Sequence, residues 1–379
     1  MNLRQKIEQE IRERGPLPFS RYMDLCLYDP ELGYYAGHAE KFGKAGDFYT
    51  SSDVHAVFGR LLARQFEEMW RALGSPAEIE LLELGPGRGL FAQDVLDWSE
   101  KKFPEFYRAL RYTLDERSPA LRARLKERFR ARIDGGKTIV LAEGVKARAL
   151  STDVPLIIFA NEFFDALPVE VLSETGSLRI ASRGQRLVEV WAKPSTEELE
   201  FLDRYSVHPT GPSRTEVALL AQQTMTELTR IFQRGFLIVI DYGYTREEQL
   251  AGRHLDTLMT YRQHSAGPNP YEAPGEQDIT AHVNFTALAA AAENGGMQTH
   301  KLLTQSQFLL GIGEVNQFAD AFEGCKLPQE RAKVTMQLKH LVTPSGMGET
   351  FHVLLGSQGV GRELLGNLRG LSFAKNVRP

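Results

Sequence analysis

Three glycines at alternate positions, Glu83-Leu84-Gly85-Pro86-Gly87-Arg88-Gly89, follow directly on an apolar run from Ile79 to Leu84. Glycine lets a backbone turn tightly and approach a ligand that any Cβ would push away. A turn of this kind between a strand and a helix is a seat for a nucleotide-like cofactor. A dinucleotide turn spaces its glycines Gly-x-Gly-x-x-Gly and sets a diphosphate on the helix N-terminus. Here the third glycine comes one residue early, and Leu90 stands where that spacing would place it. Glu83 is expected to project from the strand end into the loop, where a carboxylate repels a diphosphate and attracts a sulfonium. The predicted cofactor is therefore S-adenosylmethionine, with Gly85, Gly87 and Gly89 approaching it. Glu116, at the end of the next strand, is expected to accept the ribose hydroxyls, with its neighbour Asp115 as the alternative.

A second set of residues suits a nucleophile. Asn161-Glu162-Phe163-Phe164-Asp165 closes another apolar run. Asn161, Glu162 and Asp165 are the candidates for orienting an acceptor nitrogen. On a helical turn Glu162 and Asp165 share a face, and two carboxylates can clamp a guanidinium bidentately. The alternative is that acids at a helix start only complement its dipole. Phe163 and Phe164 read as core packing. Asp241-Tyr242-Gly243-Tyr244 should also face the site, and Gly46 to Ser51, with Asp47, Tyr49 and Thr50, suits a lid over the cofactor. His264, Asp278 and His282 lie in a Pro/Gly-rich stretch, but their spacing matches no familiar ligand set, so no metal site is predicted. They read as loop anchors, with a catalytic base among them as the alternative.

The elements that must position these groups alternate. Strands are expected at Ile79 to Leu84, Arg111 to Asp115, Thr138 to Leu141, Pro155 to Ala160, Gly235 to Ile240, His300 to Thr304 and Thr350 to Leu355, the last antiparallel. Helical spacing from Thr50 or Ser51 to Leu73 and after Gly89 (Phe91, Val95 and Trp98 inward) supplies the covering layers. Ser118-Pro119 opens another helix. Strands apolar on both faces, alternating with helices, require a mostly parallel sheet covered on both sides. The division expected is 1–75 as N-terminal cap and lid, 76–169 as the cofactor-binding half of the core, 170–233 as an inserted substrate-side subdomain of a hairpin plus one long polar helix, and 234–379 as the C-terminal half of the core.

The bulk numbers narrow the class. A formal charge of −4 lacks the basic bias of a nucleic-acid binder. Two cysteines among 379 residues build neither a disulfide scaffold nor a zinc site. No apolar run reaches the roughly 18 residues of a membrane span. Met1 to Arg14 mixes acids with bases on an amphipathic helix stripe, unlike a signal or transit peptide, so a cytoplasmic setting is expected.

At these motifs the chain resembles the MidA-like methyltransferases. The resemblance rests on Gly46 to Ser51, the glycine turn and Glu116 to Arg122. It continues in Asn161 to Val169, Asp241 to Tyr244 and Pro274 to Val283. It implies a class I, Rossmann-like α/β fold with a seven-stranded sheet and S-adenosylmethionine at the glycine turn and Glu116. It also implies ω-N-methylation of a protein arginine, since the family includes a mitochondrial complex I assembly factor that methylates a core subunit. By that analogy the partner is a protein, a complex I subunit or its homologue. The chain departs from the family at Ser52-Asp53 and at Asp256 to Thr260. Two rival readings are a nicotinamide-dependent oxidoreductase, against which the glycine spacing and Glu83 count, and a non-catalytic assembly protein that keeps the fold.

Overall fold

All six residues of Ile79–Leu84 are buried, and this strand, β1, forms the middle of a wide sheet. The computed structural model describes residues 1–36, 56–141, 154–184, 186–262, 265–267 and 269–376. The other sheet strands are β2 (Leu110–Asp115), β3 (Thr138–Val140), β4 (Leu156–Asn161), β5 (Gly235–Tyr244), β6 in two short pieces (Gln298–Thr299 and Leu303–Thr304) and β7 (Phe351–Gln358). They run in the order β3-β2-β1-β4-β5-β7-β6. β1 to β5 are mutually parallel, whereas β7 is antiparallel to both of its neighbours. This is the class I, Rossmann-like α/β fold.

Helices cover both faces, so the strands had to be apolar on both. On one side Ala56–Ala72 and Leu90–Lys102 bury Phe58, Phe66, Phe91 and Val95 against Leu81, Ile157 and Ile238. On the other, Leu219–Thr229 and Phe285–Asn294 bury Met225, Leu228 and Leu288 against Leu82, Ile158 and Val239. Two strands differ from expectation. β5 runs to Tyr244, because its last residues gain partners in Val283 and Asn284 on one side and His352 and Phe351 on the other. The stretch His300 to Thr304 is broken instead of continuous, its ladder to β7 interrupted between Thr299 and Leu303.

A second, smaller sheet lies apart from this core. Glu170–Ser173, Gly176–Arg183, Arg186–Ala192 and Thr215–Val217 pair antiparallel, and Leu17–Pro18 from the N-terminus joins them at Ile180 and Arg179. Helices Leu3–Arg14 and Phe19–Tyr28 pack onto this sheet through Ile7, Tyr22 and Leu25, against Val171, Leu178 and Ile180. Residues 1–75 are thus divided: the first helices join the insertion, and the helix Ala56–Ala72 joins the central core. The single long helix expected in the insertion is two. Ser195 and Glu198 form a capping box that starts Thr196–Tyr205, and Pro209-Thr210-Gly211-Pro212 cannot continue it. The second helix, Leu219–Thr229, belongs to the covering layer of the central sheet.

Candidate active site

Strand register decides what meets at the site. Leu84 stands opposite Asp115 and Ala160, and Asn161 stands opposite Ile240. Gly85, Glu116, Glu162 and Asp241 therefore follow the strand ends along one edge, the carboxyl edge where ligands of such sheets bind. The Gly85 N–H donates to the Asp115 carbonyl at 2.9 Å, which ties the turn to β2. Gly89 has φ +73°, and a Cβ there would lie 2.6 Å from Leu125 Cδ2, so this glycine lets the helix Pro119–Arg128 pack close. Gly87 differs. It has φ +52°, yet an added Cβ would meet nothing within 4 Å, so the left-handed turn opens its backbone toward free space.

Glu116 closes that space from the β2 side. It is 8% exposed, and its carboxylate accepts the Gly87 N–H at 3.2 Å and the Ser118 N–H at 2.8 Å. Burial pushes its pKa up to about 7, opposed by those two backbone hydrogen bonds. A buried carboxylate with lone pairs to spare is a fitting acceptor for a ribose diol. Gly85, Gly87, Gly89 and Glu116 thus fit an S-adenosyl cofactor and would hold it. Glu83 does not stand where expected. It is the penultimate residue of β1, 5% exposed, and accepts the Tyr112 hydroxyl at 2.8 Å instead of projecting into the loop. Burial pushes its pKa up to about 8, so without a neighbouring cation it is largely neutral at pH 7. The charge argument drawn from Glu83 is thereby weakened.

The acceptor side is built around Asp241. Its carboxylate is fully buried, and one oxygen accepts the N–H groups of Phe163 (3.2 Å), Phe164 (3.0 Å) and Asp165 (3.3 Å). The other oxygen accepts the N–H of Tyr242 at 3.0 Å. Four converging donors fold residues 162–165 into a nest, so the helical turn expected for Glu162 and Asp165 does not form. The helix-dipole alternative falls with it. Glu162 takes a left-handed φ of +49° instead, its N–H donating to the Ile240 carbonyl at 3.0 Å. Asn161 Nδ2 donates to Glu162 Oε1 at 3.2 Å. Asp165 is buried and accepts the Tyr242 hydroxyl. Burial pushes the Asp165 carboxyl up to about 6. It raises Asp241 too, helped by the charges of Asp165 and Glu162. The structure thus brings Glu162, Asp165 and Asp241 together, and Phe163 links them to the cofactor turn, since its ring lies 3.0 Å from where a Gly85 Cβ would be.

Neighbouring side chains brace this arrangement. Tyr242 meets His282 edge-on at 5.3 Å between ring centroids, and the Nδ1 atoms of His282 and His254 are 3.3 Å apart. Burial holds the His282 pKa down at about 4, so its ring is neutral and the two can share one proton. Sequence reasoning missed His254, Tyr28 and Tyr35. Tyr28 donates to the Ala166 carbonyl at 2.9 Å, and Tyr35 donates to Asp278 at 3.0 Å. Both tyrosines, with Arg117 and Ser118, line a cleft of about 250 Å³ beside Glu116. An aromatic pair, Tyr34-Tyr35, placed after Pro30 and Gly33 was the available signal. Asp47, Tyr49, Thr50 and His264 lie outside the described residues.

A Rossmann-like sheet with a left-handed glycine turn and a buried carboxylate placed to fit a ribose points to a class I S-adenosylmethionine-dependent methyltransferase. Comparison with known proteins agrees. Residues 61–303 match the family described as S-adenosyl-L-methionine-dependent methyltransferase, and the chain belongs to it. The chain is 29% identical to "Protein arginine methyltransferase NDUFAF7 homolog, mitochondrial" of Drosophila melanogaster, over 95% of this chain and 85% of that protein. It is 26% identical to the protein arginine methyltransferase NDUFAF7 of Homo sapiens, also mitochondrial, over 97% and 85%. A COG1565 superfamily member from Burkholderia thailandensis, solved bound to S-adenosyl-homocysteine, superposes with a TM-score of 0.79 at 26% identity, covering 98% of this chain and 94% of that one. The nicotinamide alternative falls with the family. The protein is an S-adenosylmethionine-dependent methyltransferase, and among its described residues no helix is long and apolar enough to cross a membrane.

Proposed function

We propose that the methyl acceptor is the guanidinium of a protein arginine. The observation that carries this reading is the gathering of Glu162, Asp165 and Asp241 beside the glycine turn, with Asp241 consumed in holding the nest. Glu162 and Asp165 are the two acids assigned to the acceptor on this reading, and a guanidinium is the planar cation that carboxylates bind bidentately. The names of the Drosophila and human relatives support the same acceptor. The cofactor supplies a methyl group on a sulfonium; the acceptor nitrogen bonds the methyl carbon, the sulfur keeps the electron pair of the broken bond, and the nitrogen sheds a proton. On this reading Asn161 and Glu162 orient the guanidinium. Asp165, whose pKa burial places near 6, takes the proton and holds it with Tyr242 as partner.

On this reading the small sheet of residues 170–217, joined by 17–18, is the substrate-side subdomain that reads the polypeptide around the target arginine. A cytoplasmic setting, and a complex I subunit or its homologue as acceptor, complete the proposal. To test it, the full chain is incubated with methyl-labelled cofactor and cell lysate, and the labelled proteins are hydrolysed to amino acids. Label in methylarginine is expected; label confined to lysine, or to small molecules, overturns the arginine reading.

A further inference from the structure

The stretch Pro274 to Val283 carries a buried acid that the proposed chemistry has not used. Asp278 is 5% exposed on the short strand Asp278–Thr280, and the Tyr35 hydroxyl fixes one of its oxygens at 3.0 Å. Its segment is tied to the acceptor nest, because the Ala281 N–H donates to the Asp165 carbonyl at 3.0 Å. The fields of Asp278 and Asp165 fall on the same three phenols, Tyr28, Tyr35 and Tyr261. Asp165 adds an independent observation. It is 4% exposed, one oxygen accepts from Tyr242, and the other has no hydrogen-bond partner among the described residues.

We propose that Asp278 is a third carboxylate of the acceptor pocket, held by Tyr35 so that it joins Glu162 and Asp165 around the incoming guanidinium, between tyrosine rings. A buried carboxylate oxygen without a donor is costly until a cation reaches it, and among the described residues no Lys or Arg pairs with Asp165. Arg117, which stacks on Tyr28 at 4.3 Å, is already engaged with Asp24 at 3.0 Å. A planar cation suits this enclosure better than an ammonium. A guanidinium offers five donors in one plane and presents flat faces to aromatic rings. Asp278 is then a specificity-determining residue that favours arginine over lysine, and Tyr35 is its positioning residue. This inference rests on the arginine reading.

The test uses the full-length protein saturated with S-adenosylhomocysteine, with methylguanidinium chloride and methylammonium chloride as probes in an NMR or calorimetric titration. Methylguanidinium should bind the unmodified protein about tenfold more tightly than methylammonium, and Asp278→Asn should erase most of that preference. Tyr35→Phe should weaken methylguanidinium by roughly threefold. Neither variant should change S-adenosylhomocysteine affinity, which also certifies that each is folded. If Asp278→Asn does not fold, Tyr35→Phe carries the test alone. Methylarginine from the unmodified protein together with an unchanged probe preference in the variants overturns this inference and spares the arginine reading. Equal binding of the two probes by the unmodified protein also overturns it. Absence of methylarginine in the lysate experiment overturns the arginine reading itself.

Discussion

The two halves of the active site are made differently. The cofactor half is local: a strand, a glycine turn and the acid after the next strand, all within residues 79–118 and joined by the Gly85 N–H to the Asp115 carbonyl and by the Glu116 carboxylate on nearby N–H groups. The proposed acceptor half is assembled from segments far apart in the chain, residues 28–36, 161–166, 241–242, 254 and 278–282. They are joined by side chains such as Asp241, Tyr28 and Tyr35. The first half depends on what one turn of backbone can adopt. The second depends on one carboxylate's receiving four donors from two segments. Variants should therefore fail in separable ways, cofactor binding with the first half and acceptor geometry with the second.

The sharpest separation is expected at Asp241. Asp241→Asn replaces half of the buried carboxylate by a donor that faces backbone N–H groups. Breaking such a buried network costs about 3 kcal/mol. A urea titration should show that loss. Transfer should fall at least tenfold while S-adenosylhomocysteine affinity stays within about threefold. If cofactor affinity collapses together with stability, the two halves are not separable. Next in size is Gly87→Val. A β-branched residue at φ +52° is strained by about 1–3 kcal/mol, and its side chain enters the open space at the turn. Calorimetry should record a loss of cofactor affinity on the order of a hundredfold, with the acceptor half intact. Glu116→Gln keeps the shape and removes the charge. It should weaken cofactor binding by about tenfold, the difference between charge-assisted and neutral hydrogen bonds. An unchanged dissociation constant would remove Glu116 from the cofactor site.

The same division explains what could be read in the chain before folding. The glycine turn, Glu116 and the first five strands were legible because each is a contiguous pattern: an apolar run, then a turn residue, then a capped helix such as that after Ser118. Asn161, Glu162 and Asp165 were legible as residue types, but their conformation was not. Spacing of three suggests a helical turn, while the donors' true partner, Asp241, lies on the next strand and is invisible to local periodicity. Tyr35 and His254 were hidden for the same reason: their partners, Asp278 and His282, are distant in sequence. Glu83 is the instructive difference in geometry. Its position at a strand end suggested exposure to the ligand, whereas strand alternation points it at Tyr112 beneath the sheet edge.

Glu83 also offers the finest test of the comparison, because it lies on the cofactor half yet is buried like the acceptor acids. Its folded-state pKa, about 8, stands above the 4.5 of an unburied glutamate, raised by burial and lowered in part by the Tyr112 hydroxyl. The folded state therefore binds a proton that the unfolded state releases. That contribution to stability is fully present below pH 4.5 and is lost as pH rises through 8. Glu116, raised to about 7, adds a slope of the same sign. In the empty protein Glu83→Gln should flatten the fall of melting temperature between about pH 5 and 8 without abolishing it, since Glu116 still titrates. A positive sulfonium near Glu83 would favour its ionised form, whereas S-adenosylhomocysteine carries no such charge. The extra stabilisation by S-adenosylmethionine over S-adenosylhomocysteine should then grow with pH in the unmodified protein and be level in Glu83→Gln. Equal growth in both proteins would mean that Glu83 serves only to hold Tyr112, and that the turn and Glu116 bind the cofactor without help from its charge.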